Sequence, residues 1–273
     1  MSFKLLALDL DDTLLNEEFH ISSENRAAIR RAAVSGVLVT LATGRMFRSA
    51  AVHARELQID LPLITYHGAL IRTASGDETI YHQPVPVELA KEVTDIAAQQ
   101  GYHVNAYIND ELFVAEENSY SRSYQKLANV PVTVVGNLSS FLEVPPTKLT
   151  VINRDGRLEE LKDELLERFG QDLSITVSRP SFLEITDRLA TKGRALKTLA
   201  EIHNIPQAQV AAIGDSYNDL DMIVYAGIGV AVANAREAVK AVADVITTSN
   251  AEHGVAEFIT KYLFGGKEEG CNE

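Results

Sequence analysis

The stretch Phe3–Leu15, FKLLALDLDDTLL, drives an almost purely apolar run into three aspartates, Asp9, Asp11 and Asp12. Carboxylates this close repel, and at the end of a buried strand they lose hydration, so the cluster is unfavourable unless a cation compensates. A continuous apolar run also marks a strand covered on both faces, as in parallel α/β sheets. The two features together make residues 5–10 a core strand that ends at a charged site.

Similar runs recur at 37–43 (VLVTLAT), 61–66 (LPLITY) and 210–215 (VAAIGD), with shorter ones at 228–232 and 244–248. Helical patterns lie between them at 23–35, 49–57, 194–204, 219–226 and 235–243. Alternation of this kind predicts an α/β fold, a Rossmann-like doubly wound parallel sheet. The middle of the chain reads differently. A helix over 87–100, a hairpin over 103–115 turning at Asn109-Asp110, a helix over 120–129 and strands at 130–135, 148–153, 174–178 and 181–187 around a helix at 158–169 predict a second sheet. Phe182, Glu184 and Thr186 alternate with Leu183 and Ile185, which predicts one wet face. Residues 1–82 and 189–273 are therefore expected to form the core, and 83–188 an inserted α+β domain.

Of the 273 residues, 46% are hydrophobic and 23% charged, a soluble globular composition. The formal charge of −13 argues against nucleic acid, which needs a basic face to release counterions. The one cysteine, Cys271, excludes an intrachain disulfide and sits in a polar tail expected to be disordered. The run at 222–235 is broken by glycines and too short for a membrane helix, and the N-terminus lacks the pattern of a signal peptide, so a cytoplasmic protein is expected.

Three core runs end in residues suited to phosphate or metal chemistry: Asp9, Thr43 and Asp215. In an open parallel sheet the carboxyl ends of the strands form the ligand crevice. On an extended segment side chains two apart share a face, so Asp9 and Asp11 enter one crevice while Asp12 is expected in a turn or in solvent. Hard oxygen donors suit Mg²⁺, with Asp215 as a third contributor. Thr43, Gly44 and Arg45 offer a hydroxyl and backbone N–H groups to phosphate oxygens, and Lys192 stands at a helix entry. In GDSYNDLDM (214–222), Asn218 suits donation to phosphate, Asp219 either supports a metal-bound water or orients Lys192, and Asp221 is expected on a solvated helix face.

Together these residues resemble the haloacid dehalogenase-like phosphohydrolases over the whole chain apart from the tail. DLDDT (9–13) fits the first motif, Thr43 the second, Lys192 the third and GDSYND (214–219) the fourth. The long insertion resembles the Cof-type subgroup with its large cap, as does the stretch 229–259. Two positions depart from that subgroup. His67-Gly68-Ala69 stands where Asn-Gly-Ala is usual, and Ala233-Asn234 where Gly-Asn is frequent. The resemblance implies that Asp9 is the nucleophile toward a small phosphorylated metabolite and that Asp11 shuttles the proton. Asp9, Asp11 (through its backbone oxygen) and Asp215 would hold Mg²⁺, and Thr43 and Lys192 would bind phosphate. A monomer or weak homodimer is expected. Two alternatives remain open at this point. One is a phosphomutase; the other is a receiver-like phospho-accepting module, whose motif order and shorter length fit less well.

Overall fold

The computed structural model describes residues 3–265; the tail that carries Cys271 lies outside them. In chain order the strands are β1 (Leu5–Leu8), β2 (Leu38–Leu41), β3 (Leu63–Thr65), β4 (Leu70–Arg72), β5 (Thr79–His82), β6 (His103–Ile108), β7 (Glu111–Val114), β8 (Val132–Val134), β9 (Lys148–Ile152), β10 (Leu173–Arg179), β11 (Phe182–Asp187), β12 (Val210–Gly214), β13 (Ile228–Val232) and β14 (Val245–Thr247). The chain divides into two units. The first comprises residues up to Gly44, Ala50–Ile80 and the chain from Thr191 on; the second comprises Arg45–Ser49 and Tyr81–Ala190. Residues 45–49, placed with the core by the sequence reading, group with the second unit, where Arg48 N and Nε donate to Asp110 Oδ2 at 3.0 and 3.4 Å.

The first unit is built on a parallel sheet of order β14-β13-β12-β1-β2. β3 adjoins β2 through the single parallel bridge Ala42–Ile64 and then pairs antiparallel with β4. From β1 the chain proceeds outward to β2 and β3, and after the insertion it returns to β12 on the other side of β1. Right-handed crossovers running in opposite directions put their helices on opposite faces of the sheet. Helix Ser23–Val34 packs with the C-terminal helix Gly254–Leu263, and helix Lys192–Ile202 with Leu220–Tyr225. Every side chain of β1 is then fully buried, and each of its leucines contributes about 1.5–3 kcal/mol of transfer free energy.

Several sequence expectations need correction. β1 stops at Leu8, because a turn of Leu10–Leu14 begins after Asp9 with Asp12 at φ 60. The helix expected over 235–243 is only Glu237–Lys240; the chain before it is held by Arg236 N donating to Asp215 O at 2.8 Å. The C-terminal helix was not foreseen.

The second unit carries a sheet of order β10-β11-β9-β6-β7-β8, antiparallel except for β7 with β8. Asn109 and Asp110 turn the β6–β7 hairpin with φ 52 and 62, the left-handed pair that a two-residue hairpin loop requires. One face, including Val104, Ala106, Leu149, Val151, Leu183 and Ile185, packs in one apolar core with helices Val87–Gln99 and Leu158–Phe169. The opposite face, expected wet, is largely covered: Asn105, Tyr107, Lys148 and Thr150 are buried, and Lys148 Nζ pairs with Glu184 Oε2 at 3.3 Å. Helix Ser119–Ala128 lays Tyr124 edge-on against Tyr107 and Phe182, which supplies the cover.

Helix Lys192–Ile202 begins two residues earlier than expected, and its start is pinned. Thr191 Oγ1 accepts from Arg194 N at 3.3 Å, and Asp221 Oδ2 accepts from Gly193 N at 2.9 Å. Asp221 is thus not merely a solvated residue. It satisfies one of the orphan donors of the helix that carries Lys192. Asp221→Ala is expected to lower unfolding free energy by about 1 kcal/mol, read by denaturant titration; an unchanged midpoint would remove this role.

Candidate active site

Leu8 pairs with Ile213 on one side and Leu41 on the other, so Asp9, Asp215 and Thr43 leave three adjacent strands at their carboxyl ends. Asp9 N donates to Ile213 O at 3.0 Å, and Ala42 N to Leu8 O at 2.8 Å, fixing that alignment. The place where strand order reverses, between β1 and β12, lies between the two aspartates. Beyond Asp9, the left-handed conformation at Asp12 is one that Asp tolerates better than most residues. Asp9 is buried, Asp11 half-buried and Asp12 exposed. Asn234 Nδ2 donates to Asp12 O at 2.7 Å, which ties the turn down through the residue that follows the departing Ala233.

Thr13, not singled out by sequence reasoning, is fully buried and donates through Oγ1 to Asp215 Oδ1 at 2.9 Å. Its signal was present in the DLDDT motif, but only the tertiary pairing of β1 with β12 gives it a partner. Across the site the Lys192 ammonium is completely buried. Nζ donates to Asp9 Oδ1 and to Asp219 Oδ1, each at 2.6 Å. Asp219 Oδ2 in turn accepts from the backbone N–H groups of Asp215 and Ser216 at 3.0 and 2.9 Å. Of the two roles read for Asp219, this geometry serves the orientation of Lys192. Gly214 permits it, because a Cβ there would lie 2.6 Å from Asp219 Cβ.

Asp9, Asp215 and Asp219 each bring a carboxylate oxygen within 4.8 Å of the others, against the one ammonium of Lys192. Burial raises the Asp9 pKa well above the ordinary carboxylate range; Lys192 opposes this, while Asp219, Asp215 and Asp11 reinforce it. Burial likewise lifts Asp215 to about 7, with Asp219 adding to the rise and the Thr13 hydrogen bond and Lys192 opposing it. For Lys192, burial alone would depress the pKa, but Asp219 and Asp9 override it and hold the pKa above the usual lysine value. A buried, oxygen-only donor set with excess negative charge fits a hard divalent cation. Asp11 is not among the three clustered carboxylates.

The remaining expected residues are placed as follows. Thr43 is fully buried, donates its N–H to Ile64 O at 2.9 Å and accepts at its carbonyl from His67 N at 3.1 Å. Gly44 lies under the His67 ring, where a Cβ would sit 2.2 Å from His67 Cε1. The exposed Asn218 contacts His67, with Nδ2 3.1 Å from Nδ1. Arg45 groups with the second unit rather than with these residues, near Tyr124. Burial raises the phenol pKa of Tyr124, and Lys148 and, more weakly, Arg45 oppose the rise.

Among the described residues no helix is long and apolar enough to cross a membrane. A family model of haloacid dehalogenase-like hydrolases matches residues 6–259. Phosphatase YwpJ of Bacillus subtilis is 30% identical, covering 95% of this chain and all of its own. From the same organism, the 5-amino-6-(5-phospho-D-ribitylamino)uracil phosphatase YwtE is 32% identical over 96% of this chain and 99% of its own. A crystal structure of a haloacid dehalogenase-like hydrolase from Bacteroides thetaiotaomicron superposes with TM-score 0.88 at 31% identity, covering 95% of this chain and 99% of that one. The subclass IIB sugar phosphatase BT4131 superposes with TM-score 0.81 at 25% identity, over 96% and 99%. The strand-end aspartates, the buried lysine and these full-length similarities agree: the chain belongs to the haloacid dehalogenase-like hydrolase family, within its phosphatase group.

Proposed function

We propose that this protein hydrolyses small phosphate monoesters through a phosphoryl group carried on Asp9. The observation that carries this reading is the Asp9 carboxylate at the end of the central strand, hydrogen-bonded to a buried ammonium inside an acidic cluster. An Asp9 oxygen attacks phosphorus in line; the P–O bond to the leaving group breaks as the Asp9 O–P bond forms. Asp11 gives its proton to the departing alkoxide and then takes one from the water that attacks phosphorus, which releases inorganic phosphate and restores Asp9. Lys192 opposes the burial-driven rise of the Asp9 pKa and offers positive charge to the phosphoryl oxygens, while Thr43, Gly44 and Asn218 supply hydrogen-bond donors to them. Arg45 is kept as a weaker phosphate-binding candidate.

The divalent cation is proposed to be Mg²⁺, which Asp9, Asp215 and the main-chain oxygen of Asp11 would hold and which would supply positive charge to the transferring group. The substrate class proposed is small phosphorylated metabolites such as sugar phosphates, flavin mononucleotide or pyridoxal phosphate. The names of the Bacillus relatives add ribitylaminouracil phosphates to that panel. Residues 83–188 are read as the cap of the subgroup, with a role in substrate choice. A cytoplasmic location, with which a single cysteine is compatible, and a monomeric or weakly dimeric state belong to the same reading.

Two outcomes test this. In a phosphate-release screen with Mg²⁺, Asp9→Asn and Asp11→Asn are expected to lose at least about 10²-fold in kcat, whereas exposed Asp12→Gly keeps most of it. Absence of turnover in the wild type, or isomerised sugar phosphate with little free phosphate, would overturn hydrolysis. The second outcome concerns pH. Burial in the metal-free fold favours protonated Asp9 and Asp215, so the stability these two groups contribute is fully present below the ordinary aspartate range and is lost as pH rises, for Asp215 through about 7. Mg²⁺ has to displace that proton. Its stabilising shift in Tm should therefore be larger at pH 8 than at pH 6, and Asp215→Asn should abolish most of the difference.

A further inference from the structure

Tyr66, His67 and Gly68 are three consecutive residues in the left-handed region, with φ 52, 59 and 98. Two of them carry side chains, and Tyr66 is a fully buried aromatic. Such conformations are sparsely populated and persist only where the surroundings over-determine them, which is most often at functional sites. Here the turn touches three separate parts of the phosphate machinery. His67 N donates to Thr43 O at 3.1 Å, and the His67 ring abuts Gly44, whose missing Cβ would otherwise meet Cε1, Nε2 and Nδ1 at 2.2, 2.6 and 2.9 Å. Gly68 presses on the residue before Lys192, where a Cβ would come within 2.1 Å of Thr191 O and 2.8 Å of Lys192 N. Finally, His67 Nδ1 lies 3.1 Å from Asn218 Nδ2.

We propose that His67 is a positioning residue for the phosphate site, fixing the Asn218 amide and closing the turn at Gly44. This rests on the phosphatase reading above and deepens it. The Asn218 amide nitrogen has two hydrogens. With Nδ1 as the acceptor of the 3.1 Å contact, one is donated to the His67 ring, which aims the other outward as a donor for a phosphoryl oxygen. Without the ring, the exposed Asn218 side chain keeps its chemistry but loses its fixed direction, and the ordering entropy has to be supplied when phosphate binds. His67 thus acts through Asn218 and the Gly44 backbone rather than on the reacting atoms.

The test is titration calorimetry with inorganic phosphate in the presence of Mg²⁺, alongside steady-state kinetics on whichever monoester the wild type hydrolyses. His67→Ala and Asn218→Ala are each expected to weaken phosphate binding about fivefold to tenfold and to raise KM in step, with kcat of His67→Ala changed by less than about threefold. The double variant should bind no more weakly than the weaker single variant, because both substitutions remove one coupled arrangement. His67→Asn, which tolerates the left-handed backbone and keeps a hydrogen-bonding group, should return to within about twofold of wild type. Unchanged phosphate affinity in His67→Ala, or losses that multiply in the double variant, would overturn the proposal. Should His67→Ala not fold, a failure of His67→Asn to retain affinity overturns it, and retained affinity that Asn218→Ala abolishes supports it. A wild type that binds phosphate with this coupling yet hydrolyses nothing would leave the positioning role standing while removing the hydrolytic reading; active wild type with uncoupled variants would do the reverse.

Discussion

The hydrogen bonds from the Lys192 ammonium to Asp9 and Asp219, both 2.6 Å, are the constraint on which the site depends. An ammonium with no solvent exposure is tolerable only if its charge is matched and its donors are used, and removing one partner leaves a buried charge uncompensated. Much of the surrounding sequence serves that requirement. Gly214 gives Asp219 room, Gly193 lets the lysine helix start against Asp221, and Gly68 admits the backbone just before the lysine. None of these glycines faces substrate chemistry directly; each allows two backbones, or a backbone and a carboxylate, to come closer than a Cβ would permit.

The matching of charge is deliberately incomplete. Lys192 is shared by two carboxylates while Asp215 stands beside them with Thr13 as its hydrogen-bond donor. Desolvation and mutual repulsion therefore outweigh the lysine at Asp9, whose pKa rises even though it is ion-paired. A fold stabilised only for its own sake would gain by removing one of these acids. Retaining all of them keeps a concentrated negative potential in a dry place, the condition under which a hard cation binds in exchange for protons.

Much of this was legible from local pattern. Apolar runs located the strands of the parallel sheet, and the residues ending three of them, Asp9, Thr43 and Asp215, do emerge side by side because parallel register aligns strand ends. Asn109-Asp110 announced its hairpin through the dihedral demands of the turn. What escaped was whatever depended on tertiary partners. Asp221 looked like a surface helix residue because Gly193, its partner, is 28 positions away. The sheet face with Glu184 looked wet because alternation reports polarity, not the helix that later covers it. The stretch 235–243 has helix-forming composition, yet its first part is committed to the Asp215 loop, and the helix shrinks to one turn.

The reversal of strand order at β1 also has a consequence for how the molecule comes into being. Lys192 and Asp9 are 183 residues apart, Thr13 and Asp215 are 202, and Asn250 reaches back 235 to Leu15. During synthesis at about 5–20 residues per second, the first strand waits roughly 10–40 s for the neighbour that completes its pairing. Through that interval its aspartates have no ammonium to balance them and one of its edges is open. Contacts of such separation are slow to close. The negative charge that later serves the site also discourages the exposed apolar strand from pairing with another chain, so the aspartates guard the strand before they have anything to bind.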